Sequence, residues 1–159
     1  MTISSKHASL NIQLIQAREA LMTHFRPILN DAGVTDQQWR IIRLLAENGT
    51  LDFQALAKQA CILRPSLTGI LTRLEKLDLV VRLKPSNDQR RVYLKLTPTG
   101  EQMYTDTCNS VDARYDVIEA RLGKDKVEQL RSLLQDLSDL GEANSADWSE
   151  EGETEAGDE

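Results

Sequence analysis

The side chains best suited to binding chemistry are arginines and lysines concentrated in one segment of this 159-residue chain, residues 64–95. The segment holds eight basic residues against three acidic ones, although the whole chain has a formal net charge of -6. A polyanion responds to charge within a Debye length of about 8–10 Å, so the local excess matters more than the total. The pattern indicates a phosphate-binding surface, and a solvated basic face is the alternative. The basic residues are Arg64, Arg73, Lys76, Arg82, Lys84, Arg90, Arg91 and Lys95.

Residues that could act as nucleophiles, general bases or metal ligands are few. The chain has two histidines and two cysteines, and no cluster of such side chains occurs at a workable spacing. We therefore expect no enzymatic activity, no metal site and no cofactor. A thiol-based redox sensor would need Cys61 or Cys108 as its reactive thiol. Both cysteines fall at apolar positions of their predicted elements, which favours buried structural thiols.

A predicted helix from Pro65 to Leu77 presents much of the basic segment. Proline suits the first helical position, and apolar residues at helical spacing form a buried stripe of Leu67, Ile70, Leu71, Leu74 and Leu77. The opposite face and the helix start carry small, hydroxyl-bearing and basic residues, which could hydrogen-bond bases or neutralise phosphates. These residues are Arg64, Pro65, Ser66, Thr68, Gly69, Thr72, Arg73 and Lys76. For Gly69, close backbone approach to DNA is the functional role and tight helix packing is the alternative.

A β-hairpin is predicted directly after this helix. Its strands are residues 79–83 and 92–96, and the polar loop between them carries Lys84, Arg90 and Arg91. Adjacent residues of an extended loop point in different directions, so one arginine is expected in the minor groove and the other along a phosphate. Asp88, acidic in a basic loop, is expected to bond loop amides or to hold an arginine in position.

The elements before and after this unit are predicted to be helical. Residues 9–30 form a first helix, Thr35 and Gln38 form a capping box for a second, and residues 53–60 form a third. The third helix, a short turn and the basic helix make a helix-turn-helix. With the hairpin behind it, this is the layout of a winged helix-turn-helix, which binds DNA.

Two further helices follow the hairpin, interrupted at Gly123, and their apolar residues recur every three or four positions. Such seams pack against partner helices, so we expect a homodimer, with packing inside one chain as the alternative. The seams are Tyr104, Cys108, Val111, Tyr115, Ile118 and Leu122, then Val127, Leu130, Leu134 and Leu137.

The expected fold is mainly α with a β-hairpin wing, a winged helix-turn-helix plus a helical dimerisation layer. Its parts are an N-terminal dimerisation helix at 1–34, a DNA-binding lobe at 35–97, C-terminal dimerisation helices at 98–141 and an acidic disordered tail at 142–159. Residues 141–159 hold eight acids and no Lys or Arg. The chain has no apolar run of membrane-spanning length and no apolar leader, so the cytoplasm is expected and a membrane is not.

The wing and its surroundings resemble the MarR family of winged helix repressors. The resemblance is carried by Asp88-x-Arg90 and by Leu94-x-Leu96-Thr97-x-x-Gly100, and it spans about residues 10–140. Finer similarity, which includes residues 16–20 and 61–73, is to a branch with regulators of aromatic-acid degradation and of fatty-acid resistance. The resemblance implies a homodimer on a pseudopalindromic operator and an effector site between the dimerisation layer and the DNA-reading lobe. The acidic tail departs from the family pattern.

In this family the effector is often an aromatic carboxylate that releases the DNA. A carboxylate needs a cation in a partly apolar cleft. Arg18 could bind the carboxylate and His24 a ring hydroxyl, with Trp39 and Arg40 lining the cleft. The alternative is a dimer-interface ion pair for Arg18, a surface position for His24 and a core position for Trp39.

These patterns predict a DNA-binding transcriptional regulator, a repressor released from double-stranded operator DNA by a small aromatic acid. One alternative is a regulator of an efflux or fatty-acid-resistance operon, and another is a thiol-based redox-sensing regulator.

Overall fold

The computed structural model describes residues 1–88 and 90–147. Along these residues the chain forms six helices and three strands. They are α1 (Leu10–Ala32), α2 (Asp36–Asn48), β1 (Leu51–Asp52), α3 (Phe53–Ala60), α4 (Arg64–Lys76), β2 (Val80–Leu83), β3 (Tyr93–Leu96), α5 (Pro98–Leu122) and α6 (Lys124–Asp147). The chain divides into two compact units, Met1–Arg114 and Tyr115–Glu159, so α5 contributes to both. No described helix is long and apolar enough to cross a membrane.

Short-range hydrogen bonds fix the helix boundaries of the first unit. The predicted capping box is present at α2, where the Thr35 hydroxyl accepts from the Gln38 amide and the Gln38 side chain accepts from the Thr35 amide, each at 3.1 Å. The carboxylate of Asp52 accepts from the amide of Ala55 at 2.7 Å and starts α3. α1 runs through Pro27 and ends at Ala32, two residues beyond the predicted end.

The predicted hairpin is present and belongs to a three-stranded antiparallel sheet. The strand order is β1-β3-β2, with Val80 opposite Leu96 and Leu51 opposite Leu94. The sequence indicated only a short extended piece near Leu51. Pairing with β3 gives that piece its place in the sheet.

The core of the first unit lies between α2, α3, α4 and the sheet. Its fully buried side chains include Ile41, Ile42, Leu45, Leu56, Leu67, Leu71, Leu74 and Leu94. The predicted stripe of α4 is wrong at one edge, because Leu77 is 49% exposed and Ile70 is only partly buried. The Leu77 amide still donates to the Arg73 carbonyl at 3.1 Å, so Leu77 keeps the helical spacing and lies on the same side of the helix as Ile70, at the border of the buried face.

Gly100 joins the first turn of α5 to the start of β2. A Cβ on Gly100 would lie 2.1 Å from the carbonyl oxygen of Leu79, so no larger residue fits without moving backbone. The Thr97 hydroxyl accepts from the Gly100 amide at 3.0 Å and donates to the carbonyl of Asp78 at 2.5 Å. The Thr97-x-x-Gly100 pattern therefore fixes how α5 leaves the sheet.

α6 belongs to the second unit and exposes apolar side chains along much of its length. Leu130, Leu133, Leu134, Leu137 and Leu140 are all exposed in the single chain. α6 continues to Asp147, so the expected disordered tail does not include residues 142–147. The rest of that expected tail, 148–159, lies outside the described residues.

Candidate nucleic-acid interface

The two faces of α4 differ sharply in burial. Leu67, Leu71 and Leu74 are fully buried on one side, which anchors the helix to the core. The predicted DNA-facing residues Arg64, Pro65, Ser66, Thr68, Gly69, Thr72, Arg73 and Lys76 are all exposed. Among the described residues, no atom outside the local helix lies within 4 Å of a Cβ placed on Gly69. Tight intramolecular packing therefore does not explain this glycine, and its backbone is open to a ligand.

The threonine hydroxyls of α4 are already oriented. Thr68 donates to the carbonyl of Arg64 at 3.1 Å, and Thr72 donates to the carbonyl of Thr68 at 3.0 Å. With the proton directed along the helix, each oxygen presents its lone pairs outward. In this arrangement Thr68 offers an acceptor, which suits the amino groups of adenine and cytosine in the major groove, whereas the Thr72 oxygen already accepts from Arg82 at 3.5 Å.

A basic groove joins the start of α4 to the wing, the hairpin loop at residues 84–92. Arg64, Arg90 and Arg91 line it together with Gln54 and Val92 near the start of α3. Asp52 also lines the groove, and its carboxylate is engaged by the Ala55 amide, so three arginines against one acid leave the groove basic and suited to a phosphate. Sequence reasoning missed Gln54, although the Asp52 cap places the first turn of α3 beside this groove.

Asp88 and Tyr93 order the wing. The Asp88 carboxylate accepts from the backbone amide of Arg90 at 3.0 Å, as predicted for a loop-bonding acid. Arg91 donates to the Tyr93 hydroxyl at 3.4 Å, and this contact raises the pKa of the Arg91 guanidinium. Arg91 also lines a second groove with Lys84, whereas Arg90 lines only the first of the two. The adjacent arginines thus have different surroundings.

Two of the four candidate effector residues, Arg18 and Arg40, share one acidic partner. Arg18 and Arg40 both bind the carboxylate of Asp36, and Arg40 also donates to the carbonyl of Ala60 at 2.6 Å. This cluster links α1, the start of α2 and the last residue of α3. Burial raises the pKa of Asp36, but the hydrogen bonds from Arg18 and Arg40 outweigh it and leave that pKa below its ordinary value.

Trp39 is buried, with its ring stacked on Tyr104 of α5 at 5.5 Å between centroids. His24 is partly buried on α1. Asp36 was missed in the sequence, although an acid in the first turn of a helix is a recognisable feature.

The two cysteines differ from each other. The expectation of a buried Cys61 is wrong, because Cys61 is exposed and has a left-handed backbone, φ 53°, at the end of α3. Cys108 is partly buried, with its sulfur 3.7 Å from the carboxylate of Asp112. Its contact with the neighbouring Tyr104 hydroxyl, together with burial, raises the pKa of Tyr104 to about 12.

Comparison with known proteins identifies the family. The model of the MarR family matches residues 34–92. The HTH-type transcriptional regulator FarR of Neisseria gonorrhoeae is 71% identical over 143 residues, which cover 90% of this chain and 98% of FarR. The homoprotocatechuate degradative operon repressor of Escherichia coli is 50% identical over 141 residues, which cover 89% of this chain and 95% of the repressor.

Among solved structures, NadR in complex with 4-hydroxyphenylacetate is 73% identical, with a TM-score of 0.79 and coverage of 86% of this chain and 97% of NadR. The winged helix architecture described above is that of these proteins. MarR regulators bind operator DNA as dimers. The chain therefore belongs to the MarR family and is a DNA-binding transcriptional regulator of the winged helix-turn-helix type.

Proposed function

We propose that residues 35–97 are the DNA-reading lobe and that segments 1–34 and 98–141 build the dimer around it. α4 enters the major groove, and the wing follows the backbone into the adjacent minor groove. The observation that carries this proposal is that Arg64, Arg73 and Lys76 are all exposed on α4 and that Arg64 lines one groove with Arg90 and Arg91 of the wing. A two-fold dimer then requires operator half-sites about 10 bp apart, one helical turn of DNA.

Two classes of variant test which residues read sequence. Arg73→Ala and Lys76→Ala remove phosphate contacts, so each should weaken binding to every DNA and lower the salt slope by about one. Ser66→Ala and Thr68→Ala remove base contacts, so each should reduce discrimination between operator and random DNA by about 1–3 kcal/mol. The measurement is binding to both DNAs across a salt series. Equal losses on both DNAs for all four variants would mean that another face of α4 meets the bases.

We further propose that an aromatic acid releases this repressor from DNA. NadR, whose structure contains 4-hydroxyphenylacetate, supports this ligand class for a chain so similar to it. The Arg18–Asp36–Arg40 cluster supplies a coupling path, because Arg40 also holds the carbonyl that ends α3. A ligand carboxylate that competed with Asp36 for these arginines would loosen α3 from α2. It shifts the DNA-binding equilibrium only if it binds the released conformation more tightly.

The effector test is an operator-binding assay titrated with 4-hydroxyphenylacetate. Arg18→Ala should keep operator affinity near that of the wild type while raising the acid concentration needed for release. Arg26→Ala is the matched control, because Arg26 is an exposed arginine on the same helix, paired with Glu19 instead of Asp36. If Arg18→Ala breaks the dimer, Arg18 is an interface residue. A wild type that responds to long-chain fatty acids and ignores aromatic acids supports the fatty-acid-resistance alternative.

A thiol-sensing role is the second candidate, and the exposure of Cys61 beside α4 favours it. Labelling of the native protein with a maleimide, followed by the operator-binding assay, tests it. If a Cys61→Ser variant still releases DNA on mild oxidation, the response belongs to Cys108. If the wild type keeps binding DNA after oxidation, the protein is not a thiol sensor.

We infer that the chain is not an enzyme, since its relatives are named as regulators, and that it acts in the cytoplasm, where its DNA target lies.

A further inference from the structure

Arg82 is a basic residue of the hairpin whose charge is directed into the protein. It lies on β2 two residues after Val80, which is buried, so the two side chains share the inner face of the strand. Its guanidinium forms an ion pair with the carboxylate of Glu75 on α4, through Nε and Oε1. The side chains of Arg82 and Glu75 are 31% and 33% exposed. The pair is therefore largely shielded from water by the protein itself.

The same guanidinium reaches the DNA-facing side of α4. Its Nη2 lies 3.5 Å from the hydroxyl oxygen of Thr72, which donates in turn to the carbonyl of Thr68. Arg82 thus contacts two residues of α4 that lie three positions apart, one turn of the helix. A planar guanidinium held at two points has a fixed orientation.

This contact is the second attachment of β2 to α4. The first is the turn between them, where the amides of Asp78 and Leu79 donate to the carbonyls of Glu75 and Leu74 at 3.0 Å each. β2 is paired with β3 along its length, so the turn alone would leave the hairpin to tilt against α4 as a unit. The contact of Arg82, farther along β2, sets the angle at which the hairpin carries the wing away from α4.

We propose that Glu75 and Arg82 are positioning residues for DNA recognition. They fix the wing relative to α4, so that one rigid lobe reaches the major and minor grooves together, and Arg82 holds Thr72 in place. Neither residue contacts DNA, and Arg82 does not act as one of the phosphate-binding cations of residues 64–95.

Glu75→Gln separates this role from simple electrostatics. Removing an acid beside a DNA-binding surface raises affinity if only net charge matters. Because the variant removes the negative charge that holds the Arg82 guanidinium and leaves only a neutral acceptor in its place, we expect operator affinity to fall about tenfold, the scale of one lost contact. Hydroxyl-radical footprinting should show weaker protection under the wing and unchanged protection under α4. Tighter operator binding by Glu75→Gln would overturn the proposal.

Arg82→Gln should show the same loss and the same change in footprint, with the slope of affinity against salt unchanged. A phosphate contact would instead lower that slope by about one. Lys95→Gln is the charge-matched control, since Lys95 is an exposed residue on the neighbouring strand β3. The control should keep the footprint of the wild type. If Arg82→Gln and Lys95→Gln lost the same operator affinity and the same protection under the wing, the loss of one positive charge would explain both results, and the positioning role of Arg82 would be refuted.

The exchanged pair, Glu75→Arg with Arg82→Glu, keeps the net charge and can re-form the contact with reversed polarity. We expect it to recover most of the affinity and the protection under the wing that each single substitution loses. A double variant that is well folded by its thermal midpoint, yet binds no better than the weaker single variant, would contradict a positioning pair. Glu75→Gln replaces a single oxygen atom and should fold normally. Its operator affinity and footprint therefore decide the question even if the arginine variants are unstable.

Discussion

Two glycines of this chain, Gly100 and Gly69, differ in how closely other atoms approach them. Gly100 lies against the Leu79 carbonyl with no space for a methyl group, whereas Gly69 faces open space on the exposed side of α4. Any side chain at the first position would force backbone to move, so glycine there stabilises the fold. Folding does not require glycine at the second position. The missing side chain of Gly69 therefore matters for how closely a ligand such as DNA can approach the helix backbone.

Substitution to alanine should separate these two roles. Gly100→Ala should destabilise the protein by about 1–3 kcal/mol or more, because backbone must shift to relieve the overlap. Gly69→Ala should leave stability unchanged or raise it by up to about 1 kcal/mol, since alanine is the better helix former. Urea unfolding measures the first difference. In the operator-binding assay, Gly69→Ala should nevertheless bind more weakly, and an unchanged affinity would place the DNA backbone away from this position.

At the scale of elements, Asp36 ties three helices together through Arg18 and Arg40. Because the pKa of Asp36 is lowered on folding, the direction in which pH changes the stability is known. A carboxyl whose pKa falls on folding stabilises the native state above its unfolded pKa of about 3.9, and this contribution disappears as the pH drops through the folded value. The tie between α1, α2 and α3 should therefore weaken in acid.

Asp36→Asn should lower the free energy of unfolding by about 1 kcal/mol or less at pH 7, the range for partly exposed pairs. The difference from the wild type should begin to shrink below about pH 4, where the carboxyl of the unfolded chain takes up a proton, and should disappear once the pH is below the lowered folded pKa. Urea unfolding from pH 3 to pH 7 gives the measurement. Glu19→Gln is the control, because Glu19 pairs with Arg26 at the exposed surface of α1. A difference between Asp36→Asn and wild type that stays constant with pH would show that packing, and not charge, links these helices.

At the scale of the whole molecule, the exposed leucines of α6 are most simply explained by the dimer. A monomer rarely leaves a row of leucines in water, and burial against a second copy removes them from it. Leu134→Asp should introduce an uncompensated charge into that interface at a cost of about 3–5 kcal/mol, which raises the dimer dissociation constant by at least about a hundredfold. Sedimentation at micromolar concentration should then show monomers, with operator binding lost.

Ser132→Asp is the control for that variant, since it adds the same charge to α6 on the side of the helix away from Leu134. It should remain a dimer. If Leu134→Asp also remains a dimer, the seam of α6 does not form the interface.

Residues 148–159 carry six acids and no Lys or Arg. Their charge should repel the DNA backbone, so deleting them should raise affinity for random DNA at low salt, with little change at high salt where charges are screened. The thermal midpoint should not change. A lower midpoint in the deletion variant would mean that the segment, including Trp148, packs against the rest of the protein.

Much of the first unit could be predicted because its determinants are local. The capping box of Thr35 and Gln38, the cap at Asp52 and the proline at the start of α4 act over three residues or fewer, so they are readable along the chain. The hairpin and the exposed face of α4 followed from periodicity. The resemblance to the MarR family rested on the wing pattern, where Thr97 and Gly100 have their structural reason in the contact with Asp78 and Leu79.

Tertiary structure alone decided which charges are available to a ligand. Arg18 and Asp36 are 18 positions apart, and Arg82 and Glu75 are paired across a turn from helix to strand, so no short-range pattern reveals either contact. The exposure of two apolar positions also could not be read from the sequence. Leu77 lies at the surface just past the end of α4, and Cys61 lies at the surface where α3 ends in a left-handed residue. The sequence by itself determined the family, the order of elements and the basic surface, because these depend on composition and local spacing. The pairing of its charges depended on the folded geometry, because an ion pair is made by distance in space and not by distance along the chain.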